Sequence, residues 1–542
     1  MVIAIDTLHP AVEERLSRLA PDQRSAATAP AGPVLCVAPA GSGKTTTLVA
    51  RVCWLVATGT EPAAITAVTF NKRAADELGE RLKTALAPLG DDVPLPRVRT
   101  FHALGREILA EAGVSVASLV DRAEVLRRLN GNHRLPATLS RRLEDGFSRL
   151  KLDLALDAAT VRGLGPNAAA DLSIGPQVLA AYVEYEAWLA NNSALDFDDL
   201  VRRALSLLSS NAELLAHWRQ RCATLLVDEV QDVDRSQLDL AVLLAGERRN
   251  VFLVGDDDQT IYAWRLADVR RVLDLAASLP GLRRVDLVTN YRCPKPVVER
   301  AVRLIEVNRE RFAKTIRPGP LADGELFLLP DAGDELARAR RLLREWYGRQ
   351  GDTGTYAVLA RTNAELAPFA AVALEMGIPY RAAEDGLLLD EPDLDDLLGT
   401  LPADERPAVA LARAGSRSRL ARSLLGWALP YQTAAELRTA VAEARRRRAE
   451  LRRDDAQLVL ATAHGTKGLE FDHVAVIGMD ENVFPSRRTI EEHPDPRRAM
   501  EEERRLAYVA WTRARRSLML VYDPAAPSPF LREAFSAAEL GP

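Results

Sequence analysis

Lysine is nearly missing from this chain. Of 71 basic residues only seven are lysines, at positions 44, 72, 83, 151, 295, 314 and 467. Each lysine that remains is therefore a position to explain. Cysteine is scarce as well, with four residues at 36, 53, 222 and 293. No two have the close spacing of a zinc or iron–sulfur site, and no disulfide framework is expected. No apolar run is long enough to cross a membrane. The first residues, "MVIAIDTLHPAVEERL", lack the basic region and long apolar stretch of a signal peptide. A cytoplasmic protein without a membrane partner is the expectation. The net charge of -5 excludes a uniformly basic nucleic-acid binder but leaves room for a local basic groove. What is present, 47% hydrophobic and 27% charged residues over 542 positions, fits several globular domains.

The firmest positive signal is "GPVLCVAPAGSGKTTTLVARVCWLV". Val34 to Val37 read as a buried strand. Small residues then break it, and from Thr46 onward the pattern is helical. A strand, a small-residue loop and a helix start together aim backbone N–H groups at a phosphate. The loop residues Ala40, Gly41, Ser42, Gly43, Lys44, Thr45 and Thr46 are the expected nucleotide contacts. Lys44 reaches the β- and γ-phosphates and Thr45 ligates magnesium in such a loop. Ala38 stands where the strict pattern has its first glycine.

A phosphate loop needs an acid to hold magnesium and activate water. "CATLLVDEVQD" supplies one. Leu225 to Val227 read as a strand, with Asp228 and Glu229 at its end, on the edge where parallel strands place ligands. Asp228 is assigned to the metal, together with Thr45, and Glu229 to the attacking water.

"VFLVGDDDQTIYAWR", residues 251 to 265, joins an acidic cluster to aromatic rings. A metal site at Asp256 to Asp258 is disfavoured because no further ligands are apparent. A strand ending in a polar turn, followed by rings, instead fits two ligands served by one segment.

In this order the phosphate loop, "VDEVQD" and "VGDDDQTIYAWR" resemble the superfamily 1A helicases of the UvrD, Rep and PcrA group. Further segments extend the resemblance from about residue 16 to 522: "LAPDQRSAA", "AVTFNKRAADELGERL", "VRTFHALG", "LDFDDL", "LVTNYRCP", "TAHGTKGLEFDHV" and "EEERRLAYVAWTRAR". The resemblance implies ATP and Mg²⁺ as cofactors. It implies that Gln23 reads adenine, Tyr291 stacks on it, Glu470 contacts ribose and Gln259 senses the γ-phosphate. Arg292 and Arg513 become the charges that stabilise phosphoryl transfer. Any one of these arginines taken alone reads better as a surface ion pair. For DNA, the resemblance implies contacts from Phe70, Asn71 and Lys72 on a loop after a strand, then Phe101 and His102. Tyr262, Trp264 and Arg265 continue the path, with Trp264 stacking on an unpaired base. His464 and Thr466 line the same path from the second motor domain. His102 also reads as a structural histidine, and Trp264 as a core residue between domains.

The implied fold is α/β, with two RecA-like parallel-sheet motor domains and helical insertions. The first motor domain is expected over 1–104 and 205–285, with a helical insertion over 105–204. The second is expected over 286–389 and 456–542. Residues 390–455 are expected to be a reduced remnant of the family's second insertion, ending in the basic helix "ELRTAVAEARRRRAELRR". The implied function is ATP-dependent translocation on single-stranded DNA and unwinding of tailed duplex DNA, with 3′ to 5′ polarity, in repair, replication or recombination. The rival is a UvrD-like subunit that uses ATP as an assembly switch within a nuclease, repair or defence complex. An RNA helicase is a third reading, which contacts to the 2′-OH would identify.

Overall fold

Strand β1 (Val34–Val37) is apolar at every position because both faces of its sheet are covered. Val34 and Cys36 enter one hydrophobic core. Leu35 and Val37 enter the core on the opposite face. β2 (Ile65–Thr69), β3 (Arg97–Thr100), β4 (Thr224–Val227), β5 (Val251–Gly255) and β6 (Arg283–Asp286) complete the sheet. Its order is β3-β2-β4-β5-β1-β6, and every pairing is parallel. All six C-terminal ends therefore lie on one edge. The computed structural model describes residues 8–540 apart from 91, 134, 166, 168–170, 173, 248, 264, 265, 321, 348–353, 385, 392 and 416–418.

The chain forms two units. The first comprises Met1–Asn290 and Glu310–Arg317, the second Tyr291–Arg309 and Pro318–Pro542. Two short strands, β7 (Thr289–Asn290) and β8 (Arg317–Pro318), lie where the chain passes from one to the other. Within the first unit, helices Phe101–Glu111 and Asp199–Ser210 pack in the core of the sheet through Leu104, Ile108, Val201 and Ala204. Between them lies a separate helical core built on Phe147, Leu150, Tyr182, Tyr185 and Leu189. The helical insertion thus departs from, and returns to, helices that belong to the sheet.

The second unit holds another parallel sheet. β9 (Glu325–Pro330), β10 (Tyr356–Ala360), β11 (Tyr380–Arg381), β12 (Leu458–Thr462), β13 (Phe471–Val476) and β14 (Ala514–Tyr522) run in the order β11-β12-β10-β13-β14-β9, with parallel pairing throughout. Between β11 and β12 a small helical core gathers Leu394, Leu398, Leu411, Leu424, Leu437 and Val441. Helix Ala434–Leu451 closes it. In the arginine run that ends this helix, Arg446 pairs with Glu443 and Glu450, as on a solvated helix face.

Candidate nucleotide site and nucleic-acid interface

β1 leads straight into the glycine-rich loop. Ala38 N–H still donates to the Gly255 carbonyl at 2.8 Å, so position 38 continues the strand and tolerates a side chain. The sharp turns fall at Gly41 (φ 68°) and Gly43 (φ 82°), the backbone region in which glycine has no steric cost. Helix Lys44–Ala57 starts two residues before the sequence pattern placed it, with Gly43 as its cap. Gln23 braces the loop from behind. Its Nε2 donates to the Ser42 carbonyl at 2.8 Å, and its Oε1 accepts from Ala20 N–H at 3.1 Å. Each end of that amide keeps a second hydrogen-bonding position for a base. A Cβ at residue 43 would lie 2.6 Å from Gln23 Nε2.

These residues fit a magnesium-bound triphosphate. Ser42 Oγ is buried and makes no hydrogen bond within the protein. Ala40 is buried, Gly41, Lys44 and Thr45 are half-buried and Thr46 is exposed. Lys44 Nζ donates to the Ala38 carbonyl at 3.1 Å, across the mouth of the loop. Thr45 and Asp228 are the hard oxygen donors suited to magnesium. Among the described residues no cluster of three or more His, Cys, Asp or Glu side chains can hold a metal. Magnesium here would need the nucleotide's oxygens and water to complete its shell.

β4 carries the acid pair. Asp228 N–H donates to the Val68 carbonyl at 2.9 Å, continuing the sheet. Burial and the neighbouring Glu229 push the Asp228 carboxyl up to about 7, against the pull of Lys44. Glu229 adopts φ 51°, a strained conformation for a residue with a side chain. Gln231, fully buried, holds it there: its Nε2 donates to Glu229 Oε2 at 2.5 Å, and its Oε1 accepts from Asp256 N–H at 3.0 Å. Gln231 lies within "VDEVQD", but its type and spacing do not reveal this role. Gln259 is buried beyond β5 and donates from Nε2 to Asp256 Oδ2 at 2.7 Å.

Two ring pairs stand on the first unit. Phe70, just after β2, stacks on Tyr262, with centroids 5.2 Å apart and planes 12° apart. His102 stacks on Phe197, at 3.9 Å and 20°. Phe197 is 55% exposed, although Asp196 and Asp199 on either side are buried. Lys151, fully buried, pairs with Glu186 (2.7 Å), Asp196 (2.9 Å) and Asp199 (3.1 Å). Anchored acids thus hold an apolar ring out in solvent. This explains the alternation in "LDFDDL", whose spacing alone gives Phe197 no role.

Several expectations need correction. Phe101 is 3% exposed and lies in the core of the first sheet, because helix Phe101–Glu111 turns it inward. It offers no face to a nucleotide. Asn71 and Lys72 are not both loop residues. Helix Lys72–Leu86 begins at Lys72, and the Asn71 side chain caps it by accepting from Ala74 N–H at 2.9 Å. Thr466 is fully buried, its hydroxyl donating to the Ala463 carbonyl at 2.8 Å, so it does not line a path. Trp264 and Arg265 lie outside the described residues.

On the second unit, Tyr291 is 49% exposed and presents a ring. Arg292 Nε pairs with Glu470 at 2.7 Å, and its Nη1 donates to the Thr512 carbonyl at 3.3 Å. Burial alone would raise the Glu470 carboxyl; Arg292 and Arg515 outweigh it and hold the group below its usual range. Arg513 is 1% exposed. It donates to the carbonyls of Val509 (2.8 Å) and Leu469 (3.1 Å). That is an interior placement rather than a side chain reaching outward.

His464 is half-buried. Burial, with help from Arg361, pushes it down to about 4 from an ordinary 6.5. It is neutral at physiological pH and meets any phosphate as an N–H donor only. The unfolded chain binds this proton more readily, so its contribution to stability is intact above pH 6.5 and is lost as pH falls towards 4. The urea midpoint of the parent should therefore fall relative to His464→Gln across that window. Parallel profiles would refute the shift.

A parallel sheet whose strand ends carry a glycine-rich loop, a lysine at a helix start and a carboxylate pair defines a P-loop nucleotide-hydrolase fold, here joined in one chain to a second RecA-like sheet. The UvrD/REP helicase N-terminal domain matches residues 19–280, and the UvrD-like helicase C-terminal domain matches residues 430–524. DNA helicase II of Salmonella typhimurium is 28% identical, over 94% of this chain and 84% of its own. ATP-dependent DNA helicase PcrA of Staphylococcus aureus is 26% identical, over 94% and 83%. The chain belongs to the UvrD/Rep/PcrA family of DNA helicases. No helix among the described residues is long and apolar enough to cross a membrane.

Proposed function

We propose that this chain hydrolyses ATP to move along single-stranded DNA and to open tailed duplexes in the 3′ to 5′ direction. One observation carries the reading: Gln259, bonded to Asp256 in the interior, is three residues from Tyr262, which stacks on Phe70. A short segment thus joins the nucleotide end of β5 to a ring platform. Bound magnesium would supply charge neutralisation at the phosphates. Lys44 and the loop N–H groups hold the triphosphate. Glu229, kept in place by Gln231, orients water. Phe197 with His102, and Phe70 with Tyr262, stack on bases without regard to sequence.

The test is ATP turnover with and without single-stranded DNA, followed by unwinding of 3′- and 5′-tailed duplexes. Turnover should rise with DNA, and only the 3′ tail should support unwinding. Phe197→Ala should weaken binding to an oligo-dT strand by about 1–3 kcal/mol, the worth of one stacked base. Unchanged affinity in a fluorescence titration would remove this ring from the DNA path.

A second reading, an ATP-driven switch inside a nuclease, repair or defence complex, draws support from the short helical core between β11 and β12. The alignment with DNA helicase II runs over 627 positions, longer than the 542 residues of this chain, so the relative carries segments lacking here. A basal ATPase that DNA alone leaves unchanged would favour this second reading.

A further inference from the structure

Two of the seven lysines have wholly buried side chains, and each meets three carboxylates. One is Lys151, described above. The other is Lys314, whose Nζ lies 2.8 Å from Asp256 and 2.9 Å from Asp258 and also pairs with Asp257. All four of these side chains are inaccessible to solvent. Arg311 adds a bidentate contact to Asp258 (2.9 and 2.8 Å), and Phe312 N–H donates to Asp257 at 2.8 Å. Three successive residues at the end of β5 are thus gripped by residues 311–314. The same segment is fastened to the first unit at Ala313, whose carbonyl accepts from Arg284 at 2.7 Å, and at Arg317, whose N–H donates to the Val288 carbonyl at 2.7 Å.

Asp256 is the junction. One carboxylate oxygen accepts from Lys314, the other from Gln259, and its N–H donates to Gln231, which in turn holds Glu229. The route of the chain adds to this. Residues 291–309 belong to the second unit, 310–317 return to the first, and from 318 the chain is in the second again. The gripping segment is therefore joined covalently to the second unit at both ends.

We propose that residues 310–317 are a tether that sets the conformation of the Asp256–Gln259 turn, with Lys314 and Arg311 as positioning residues for Gln259 and, through Gln231, for Glu229. The inference rests on the ATP-hydrolysing reading above. Its physical basis is charge balance. Three adjacent carboxylates cannot share a dry site without cations, and removing one partner leaves a buried charge uncompensated. Burial pushes Asp257 up to about 6 against the pull of Lys314, whereas for Asp256 Lys314 outweighs burial and holds the carboxyl down at about 2. A compact ammonium gathers its three donors on one atom, while a guanidinium spreads five over a larger plane and needs a different arrangement of acceptors.

The test compares the full-length parent with Lys314→Met, Lys314→Arg and Asp257→Asn, measuring kcat and KM for ATP with an oligo-dT strand present. Thermal melts follow folding. In Lys314→Met, kcat should fall about 100-fold, the scale of a small misplacement of reacting groups, while KM stays near the parent value. Lys314→Arg should not restore it. Asp257→Asn keeps the shape of the site and removes one ion pair; it should lower kcat in the same manner and decides the matter if Lys314→Met does not fold. A folded variant with the parent kcat, or one in which only KM rises, overturns the tether. A parent that does not hydrolyse ATP overturns the ATPase reading and this inference with it.

Discussion

Lys44→Ala should abolish measurable ATP turnover while leaving the fold intact. The side chain stands at the first position of helix Lys44–Ala57 and is half-buried, outside both hydrophobic cores of the sheet. Alanine is the best helix former, so the helix persists. What disappears is an ammonium at a helix N-terminus whose backbone N–H groups already favour anions. Its hydrogen bond to the Ala38 carbonyl, 3.1 Å long, is a single part-buried contact that a phosphate oxygen can replace. Loss of such a donor from charge developing in a transition state costs about 10²–10³-fold in rate. A coupled phosphate-release assay with DNA present reads the effect, and circular dichroism verifies folding. Retention of more than a tenth of parental turnover would count against the assignment of this loop to catalysis.

Gly255→Ala should damage both stability and turnover. Gly255 closes β5, and an added Cβ would meet Gln231 Oε1 at 2.2 Å, Val230 Cγ1 at 2.9 Å and Val230 N at 3.2 Å. Gln231 cannot easily swing away. It is fully buried, and its two ends are committed to Glu229 and to Asp256 N–H. Either the strand end shifts or the glutamine gives up both hydrogen bonds, which leaves buried polar groups unpaired. Overpacking of this kind costs about 1–3 kcal/mol. Because the displaced group is the one that restrains Glu229, kcat should fall even where the variant remains folded. Urea unfolding and ATP turnover on the same preparation separate the two effects. Parental values in both would mean that the Glu229–Gln231–Asp256 chain is incidental.

Much of the nucleotide site is legible in the sequence because its signals are short-range. A strand, two glycines at positive φ and a helix start occupy the residues from Val34 to Lys44, and these residue types permit few other conformations. The departure at Ala38 also became intelligible, since that residue only extends β1. The ring contacts were less legible. Phe101 and His102 are neighbours in sequence, yet the helix they begin sends one into the core and the other onto Phe197, 95 residues further along. No local pattern distinguishes these two fates, because helix phase is decided by what the helix packs against. Thr466 departs from its expected role for a different, local reason: its hydroxyl is used within its own turn.

The acidic run at 256–258 shows where the division falls. Sequence alone determined that a strand ends there, that a polar turn follows, and that rings come after it, because hydropathy and residue type act over a few residues. Only the tertiary structure decided that the three acids are dry and that their cations are Arg311 and Lys314, more than fifty residues away along the chain. Buried charge must find its partner wherever the fold brings one, and that search is not written in local spacing.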